Sequence, residues 1–138
     1  MRKRRKSREF ALQVLYQLDI IKQDAIKTLS QFQDHFLGNG ERDDFMERLV
    51  LGVHNRSQEI DRFIEKYSEN WRLNRMTIID RAILRMATFD LLYCKEIPPK
   101  VTLNEAIELG KRFGSEDSGR FINGILDRIQ NEAIRKPI

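Results

Sequence analysis

The sequence is poor in the residues that mark several large classes of protein. It has one cysteine, Cys94, three prolines and seven glycines among 138 residues. A single cysteine excludes an internal disulfide and is typical of the reducing cytoplasm, where we expect this chain to act. No apolar run approaches the roughly eighteen residues of a membrane-spanning helix. Glu9, Gln13 and Gln17 interrupt the apolar residues near the N-terminus, which excludes a signal peptide.

Clusters of metal ligands and enzyme motifs are missing as well. His35, His54 and Cys94 lie far apart and show no ligand spacing, so we expect no structural zinc. The sequence has no phosphate-binding glycine loop, no nucleophile elbow and no HExxH motif. Asp43 and Asp44 stand at a predicted helix start, where capping explains them better than acid–base chemistry. We therefore expect no catalysis, no metal and no cofactor.

Positive charge is concentrated in an N-terminal arm, residues 1–8. The net charge is +4, and the arm contains no acid but six basic residues, namely Arg2, Lys3, Arg4, Arg5, Lys6 and Arg8. Of the 25 basic residues, removing these six leaves 19 against 21 acidic ones, so the rest is close to neutral. Such an arm favours a polyanion, since each neutralised phosphate releases counterions. Solubilising charge is the alternative, and the arm alone does not distinguish RNA from DNA or anionic lipid.

Helical periodicity dominates the remaining sequence and predicts an all-α fold. We expect one domain over residues 1–138, with six or seven helices and short connections. Helix starts are expected near Ser7, Asp24, Asp43, Thr77, Thr102 and Ser118, because polar capping residues precede apolar periodic segments there. Glycines at 38, 40 and 114 are expected to end helices, and a break is expected within residues 52–57.

The first predicted helix carries a second apolar stripe beside its main one. Leu12, Tyr16 and Ile20 recur every four residues, well away from the centre of the main apolar arc. One explanation is a helix buried on both sides. The other is a surface for a partner, or an aromatic platform for a nucleobase.

Three acids near predicted helix starts have local explanations from their spacing. Asp80 lies where a capping carboxylate belongs, and a role in partner binding is the alternative. Glu116 and Asp117 precede the last helix, where the helix dipole favours negative charge.

Three segments, in order along nearly the whole chain, carry a resemblance to a known family. RKRRKSREFALQVLY at residues 2–16, DRAILRMATFDLLY at 80–93 and VTLNEAIELGKRFGSEDSGRFINGILDRI at 101–129 resemble the NusB family of transcription antitermination factors. The stretch within residues 104–127 is long and distinctive. The resemblance implies a compact bundle of about seven helices in two helical subdomains, without enzymatic activity.

The resemblance also implies partners and a site. Family members bind the boxA element of ribosomal RNA leader transcripts together with NusE, a small-subunit ribosomal protein. The complex joins RNA polymerase and other Nus factors, which permits read-through and supports ribosomal RNA synthesis. By position, the RNA surface falls on the six basic arm residues and on Glu116, Asp117, Ser118, Arg120 and Phe121. The NusE surface falls on Tyr16, Ile20 and Asp80.

Two positions depart from the family pattern. Gly119 stands where a larger, often basic residue is expected, which leaves Arg120 as the local positive charge. Asp80 is a shorter acid than the expected glutamate. The physical reading still favours single-stranded RNA, because unpaired bases can stack on aromatic rings and arginine planes.

There are three rival functions. Related helical domains occur at the N-terminus of ribosomal RNA methyltransferases, but no cofactor-binding strand and glycine turn follow here. A helix-turn-helix DNA-binding module needs a basic recognition helix, whereas the late helices are mixed in charge. A basic helix at a membrane surface would be detected by lipid sedimentation. We expect no membrane partner.

Overall fold

A computed structural model describes residues 3–69 and 72–134, and the regular structure within these ranges is entirely helical. Its seven α-helices are α1 Arg4–Ile20, α2 Ala25–Phe36, α3 Asp44–Asn55, α4 Ser57–Tyr67, α5 Ile78–Tyr93, α6 Pro99–Phe113 and α7 Ser118–Ile129. A 3₁₀ turn, Leu73–Arg75, precedes α5, and a π-helical turn, Gln130–Ile134, follows α7. The prediction of an all-α fold with about seven helices is therefore confirmed.

The helices form two compact units. The first, residues 1–55, contains α1 to α3, and α1 packs against α3 while α2 packs against both. The second, residues 56–138, contains α4 to α7, with α5 in contact with each of the other three helices. This division matches the two helical subdomains that the resemblance implies, while the single domain over residues 1–138 stays a prediction.

Each helix hides an apolar face at the expected period. In α1, Ala11 and Val14 of the main arc are fully buried, as are Met46, Leu49 and Val50 of α3. In the second unit the fully buried side chains include Ile83, Leu84, Ile122, Leu126 and Ile129. None of the helices in the described ranges is long and apolar enough to cross a bilayer.

The boundaries of α2 and α3 fall where the sequence predicts them. A carboxylate oxygen of Asp24 accepts hydrogen bonds from the Ile26 and Lys27 amides, at 2.9 and 3.4 Å. After α2, Gly38 and Gly40 have φ angles of 115° and 79°, left-handed conformations that glycine adopts without strain. A break at position 56 separates α3 from α4, inside the predicted interval.

Two predicted helix starts are wrong. The first helix begins at Arg4 rather than near Ser7, because arginine and lysine are good helix formers and continue the helix outward. The sixth begins at Pro99 rather than Thr102, because a proline at the first helical position has no hydrogen bond to lose. Thr102 is consequently buried inside α6, and its hydroxyl donates to Asp90 at 3.1 Å.

Candidate nucleic-acid interface

The basic arm is largely the first turn of a helix. Lys3 occupies the N-cap position and makes no capping hydrogen bond through its side chain, and α1 runs on from Arg4. Lys3, Arg4, Arg5 and Lys6 are exposed, whereas Arg2 lies outside the described residues. Three of these exposed cations, Arg4, Arg5 and Lys6, are therefore spaced by the helical backbone of α1.

Aromatic rings of the same unit lie under the basic side chains. The guanidinium carbons of Arg4 and Arg8, one helical turn apart, are 5.0 and 5.1 Å from the centre of the Phe45 ring. The Lys6 ammonium lies 5.1 Å from the centre of the Phe10 ring. At these distances the ring quadrupole attracts a cation. Arg8 is only 5% exposed, so it supports this surface from within rather than facing solvent.

A buried polar network fixes the start of α1 against the start of α3. The Ser7 hydroxyl donates to the Asp43 carboxylate at 2.6 Å, and that carboxylate also accepts the Met46 amide at 3.0 Å. The Asp43 amide donates to the Gln33 side chain at 2.8 Å, and Gln33 donates to Glu47 at 2.9 Å. Asp43 therefore caps α3, as predicted, and also holds the start of α1 in place through Ser7.

The connection between α6 and α7 is shaped by close packing at a glycine. A Cβ at Gly114 would collide with the Ser118 side chain and lie 2.8 Å from the Gly110 carbonyl oxygen. Within the loop, the Ser118 hydroxyl accepts the Ser115 amide at 2.9 Å and lies 3.2 Å from the Ser115 hydroxyl. Ser118 is 1% exposed, so its hydroxyl closes the loop internally.

The remaining predicted RNA residues in this loop differ in exposure. Glu116, Asp117 and Arg120 are exposed, and Phe121 is partly exposed. Asp117 is the N-cap residue of α7, yet its side chain makes no capping hydrogen bond. Its charge is therefore available to repel or orient a ligand without holding the helix.

Lys111 is a basic residue near this loop that the sequence reasoning missed. The lysine is exposed, and its Cγ lies 3.2 Å from where a Cβ on Gly119 would be. The missing side chain at Gly119 thus leaves room for the Lys111 stem. The local positive charge does not rest on Arg120 alone. Lys111 and Gly119 are eight residues apart across a turn, and no pattern in the sequence indicates this contact.

The residues predicted for a protein partner have different environments. On α1, Leu12 is 3% exposed, whereas Tyr16 and Ile20 are 38% and 52% exposed, so the second stripe is buried only at its beginning. Asp80 is 7% exposed, and its Oδ1 has no hydrogen-bond partner among the described residues. Thr77, not Asp80, caps α5: its hydroxyl oxygen accepts the Asp80 amide at 3.1 Å.

The predicted residues are divided between the two units. The arm, Tyr16 and Ile20 belong to residues 1–55, and Asp80 and the loop at 116–121 belong to residues 56–138. Among the described residues, no group of three or more histidine, cysteine or acidic side chains is placed to hold a metal ion.

Comparison with known proteins decides the family. The NusB family matches residues 5–131, which is most of the chain. The chain belongs to the NusB family. One curated relative, the transcription antitermination protein NusB of Syntrophus aciditrophicus, is 45% identical over 136 residues, covering 99% of this chain and 84% of the relative. The predicted family membership is confirmed.

Solved structures of NusB proteins share the fold. NusB of T. maritima superimposes with a TM-score of 0.85 at 38% identity, covering 95% of this chain and 92% of that one. A second structure contains the antitermination factors NusB and NusE in complex with double-stranded RNA. It superimposes with a TM-score of 0.81 at 25% identity, over 93% of this chain and 96% of that chain.

Proposed function

We propose that this NusB family member is a non-enzymatic transcription antitermination factor of the cytoplasm. It binds boxA-type single-stranded RNA of ribosomal leader transcripts together with a NusE-type ribosomal protein. The complex then joins RNA polymerase and other Nus factors to permit read-through. The observation that carries the proposal is 45% identity, along almost the whole chain, to a curated transcription antitermination protein. A complex of NusB and NusE with double-stranded RNA is among the solved structures that share the fold.

The arm and the loop divide the work of binding RNA. The exposed cations Lys3, Arg4, Arg5 and Lys6 contact phosphates, which gives affinity without sequence preference. Arg2 and Arg8 belong to the same basic segment, with Arg8 holding Phe45 beneath it. In the loop, Arg120 and Phe121 contact bases, while Ser118 keeps the loop closed. Glu116 and Asp117 border the RNA path.

The partner surface begins on the exposed end of α1. Tyr16 and Ile20 present apolar area to solvent, and aromatic residues are enriched at the energetic centres of protein interfaces. Asp80 contributes a negative charge in the first turn of α5. Its Oδ1 is buried and has no hydrogen-bond donor among the described residues, so a partner would act on this carboxylate through its charge rather than through that atom.

Sequence discrimination is the direct test of RNA recognition. We expect the purified protein to bind a single-stranded boxA-type oligonucleotide at least about ten-fold more tightly than a scrambled strand of equal length and composition. The equal charge of the two strands makes the phosphate contribution cancel, so the difference reports base contacts. Fluorescence anisotropy at one fixed salt concentration measures both affinities. Equal affinities would mean that the protein binds RNA through charge alone, without base contacts.

Removing the charge of Asp117 should strengthen RNA binding. Asp117→Asn keeps the shape of the side chain, and no capping bond is lost because none is made. We expect the affinity for RNA to rise by up to about five-fold, since a unit charge about 4 Å from a phosphate contributes about 1 kcal/mol in water. Asp127→Asn, the same change at the far end of α7, is the control and should leave affinity unchanged. A lower affinity for the Asp117 variant would show that this carboxylate accepts a hydrogen bond from RNA.

A further inference from the structure

A half-exposed aromatic ring ends α2 in the first unit. Phe36, the last residue of α2, is 54% exposed. Its ring centre lies 4.4 Å from that of Phe32, with 33° between the planes, and 4.6 Å from that of His35, which meets it edge-on at 87°. Phe32 is 9% exposed, so the buried ring supports Phe36 from below. The arrangement holds one large aromatic surface open to solvent.

The Phe10 ring contacts both this ring and the basic turn of α1. The Phe10 ring centre is 6.3 Å from that of Phe36 and 5.6 Å from that of Phe32. The Lys6 ammonium lies 5.1 Å from the Phe10 ring centre. Cation and exposed ring therefore flank the same phenylalanine. A positive charge beside an exposed ring is the pairing that single-stranded nucleic acid requires, with one group for the phosphate and one for the base.

Hydrogen bonds fix the segment after Phe36 in position. The Asp34 carboxylate accepts the Gly40 amide at 3.2 Å and the Arg42 guanidinium at 3.0 Å. The same guanidinium donates to the Ser30 hydroxyl at 3.0 Å. The hydrogen bond from Arg42 lowers the pKa of the Asp34 carboxyl below its ordinary value. These bonds anchor the loop to α2 while the Phe36 ring remains exposed.

We propose that Phe36 is a stacking platform for a base of single-stranded RNA whose phosphate is held by Lys6. The inference rests on the proposed RNA binding and extends it to a residue outside the arm and the α6–α7 loop. The neighbouring lysine favours a nucleic acid over an apolar protein segment as the occupant. The phosphate of a nucleic acid can pair with the lysine while its base stacks on the ring. Stacking tolerates any base, so Phe36 adds affinity at a defined place in the strand rather than sequence choice.

Three substitutions at position 36 separate stacking from simple apolar contact. Phe36→Ala should weaken binding of single-stranded RNA by about 5- to 150-fold, the range for loss of one stacked base. Phe36→Leu keeps apolar area but no π face and should fall close to the alanine variant, whereas Phe36→Trp should bind like the wild type. Ile26→Ala removes a 68% exposed side chain from the same helix and is the matched control, expected to bind normally.

Salt dependence distinguishes failure of this proposal from failure of RNA binding as a whole. Anisotropy titrations over a series of salt concentrations should give the same slope for Phe36→Ala as for the wild type, because no phosphate contact is lost. Lys6→Gln should lower the slope by about 0.7. Wild-type affinity in Phe36→Ala or in Phe36→Leu would overturn the platform, while a lowered slope in Lys6→Gln would leave the RNA function standing. A wild-type protein that binds no RNA would remove both proposals.

Discussion

Replacing Lys3, Arg4, Arg5 and Lys6 together by glutamine should weaken single-stranded RNA binding on the order of 10²- to 10³-fold at about 0.1 M salt. Each phosphate contact on a single strand contributes roughly 0.7 to the slope of log K against log salt concentration. Four lost contacts should therefore reduce that slope by about 3. Anisotropy titrations from low to moderate salt measure both quantities.

Glutamine is chosen because its helix propensity is close to that of lysine and arginine, so α1 should keep its first turn. The circular dichroism spectrum should then match that of the wild type. Lys22→Gln with Lys27→Gln removes two exposed lysines of the same unit and is the charge control. An unchanged slope in the fourfold variant would mean that the arm only keeps the protein soluble.

Tyr16→Ala should weaken binding of a NusE-type protein by about 30-fold or more, while RNA binding by the protein alone changes little. Truncation of a tyrosine at the centre of an interface commonly removes 2 kcal/mol or more. Tyr16 is 38% exposed, so its loss should not unfold α1. Calorimetric titration of each variant with the partner measures the effect.

The role of Asp80 in partner binding is tested by replacing it with asparagine rather than with a residue of opposite charge. The side chain is 7% exposed, and a lysine there would bury an unpaired cation. Asp80→Asn keeps the volume, removes the negative charge and should weaken partner binding. Ile26→Ala, on α2, is again the control for exposed apolar area. Normal partner binding in both the Tyr16 and the Asp80 variants would show that these residues do not form the partner surface.

Local signals in the sequence predicted much of the fold. Asp24 and Asp43 cap the helices that follow them, and glycines end α2 and α6 as expected. These signals act through neighbouring backbone groups, so the sequence displays them directly. The start of α6 was misplaced because two rules compete there. Thr102 opens a capping-box pattern, but Pro99 is equally suited to the first helical position, and packing buried the threonine.

The architecture under the candidate RNA surface could not be predicted, because it depends on contacts between distant residues. Arg8 reads as one more cation of the arm, and only the packing of α1 against α3 places it on Phe45. Ser118 reads as an exposed hydroxyl, yet the tight approach at Gly114 turns it into the loop. Roles in RNA and partner binding for Tyr16, Ile20, Asp80 and the loop residues stay predictions.

The reciprocity of RNA and partner binding tests the central claim most directly. RNA is titrated into the protein with and without saturating NusE-type protein, and the partner is titrated with and without saturating boxA-type RNA. If the chain binds RNA as part of a complex with this partner, each ligand should tighten the other by the same factor, typically about 5- to 150-fold. Two affinities that do not change when the other ligand is present would contradict the account.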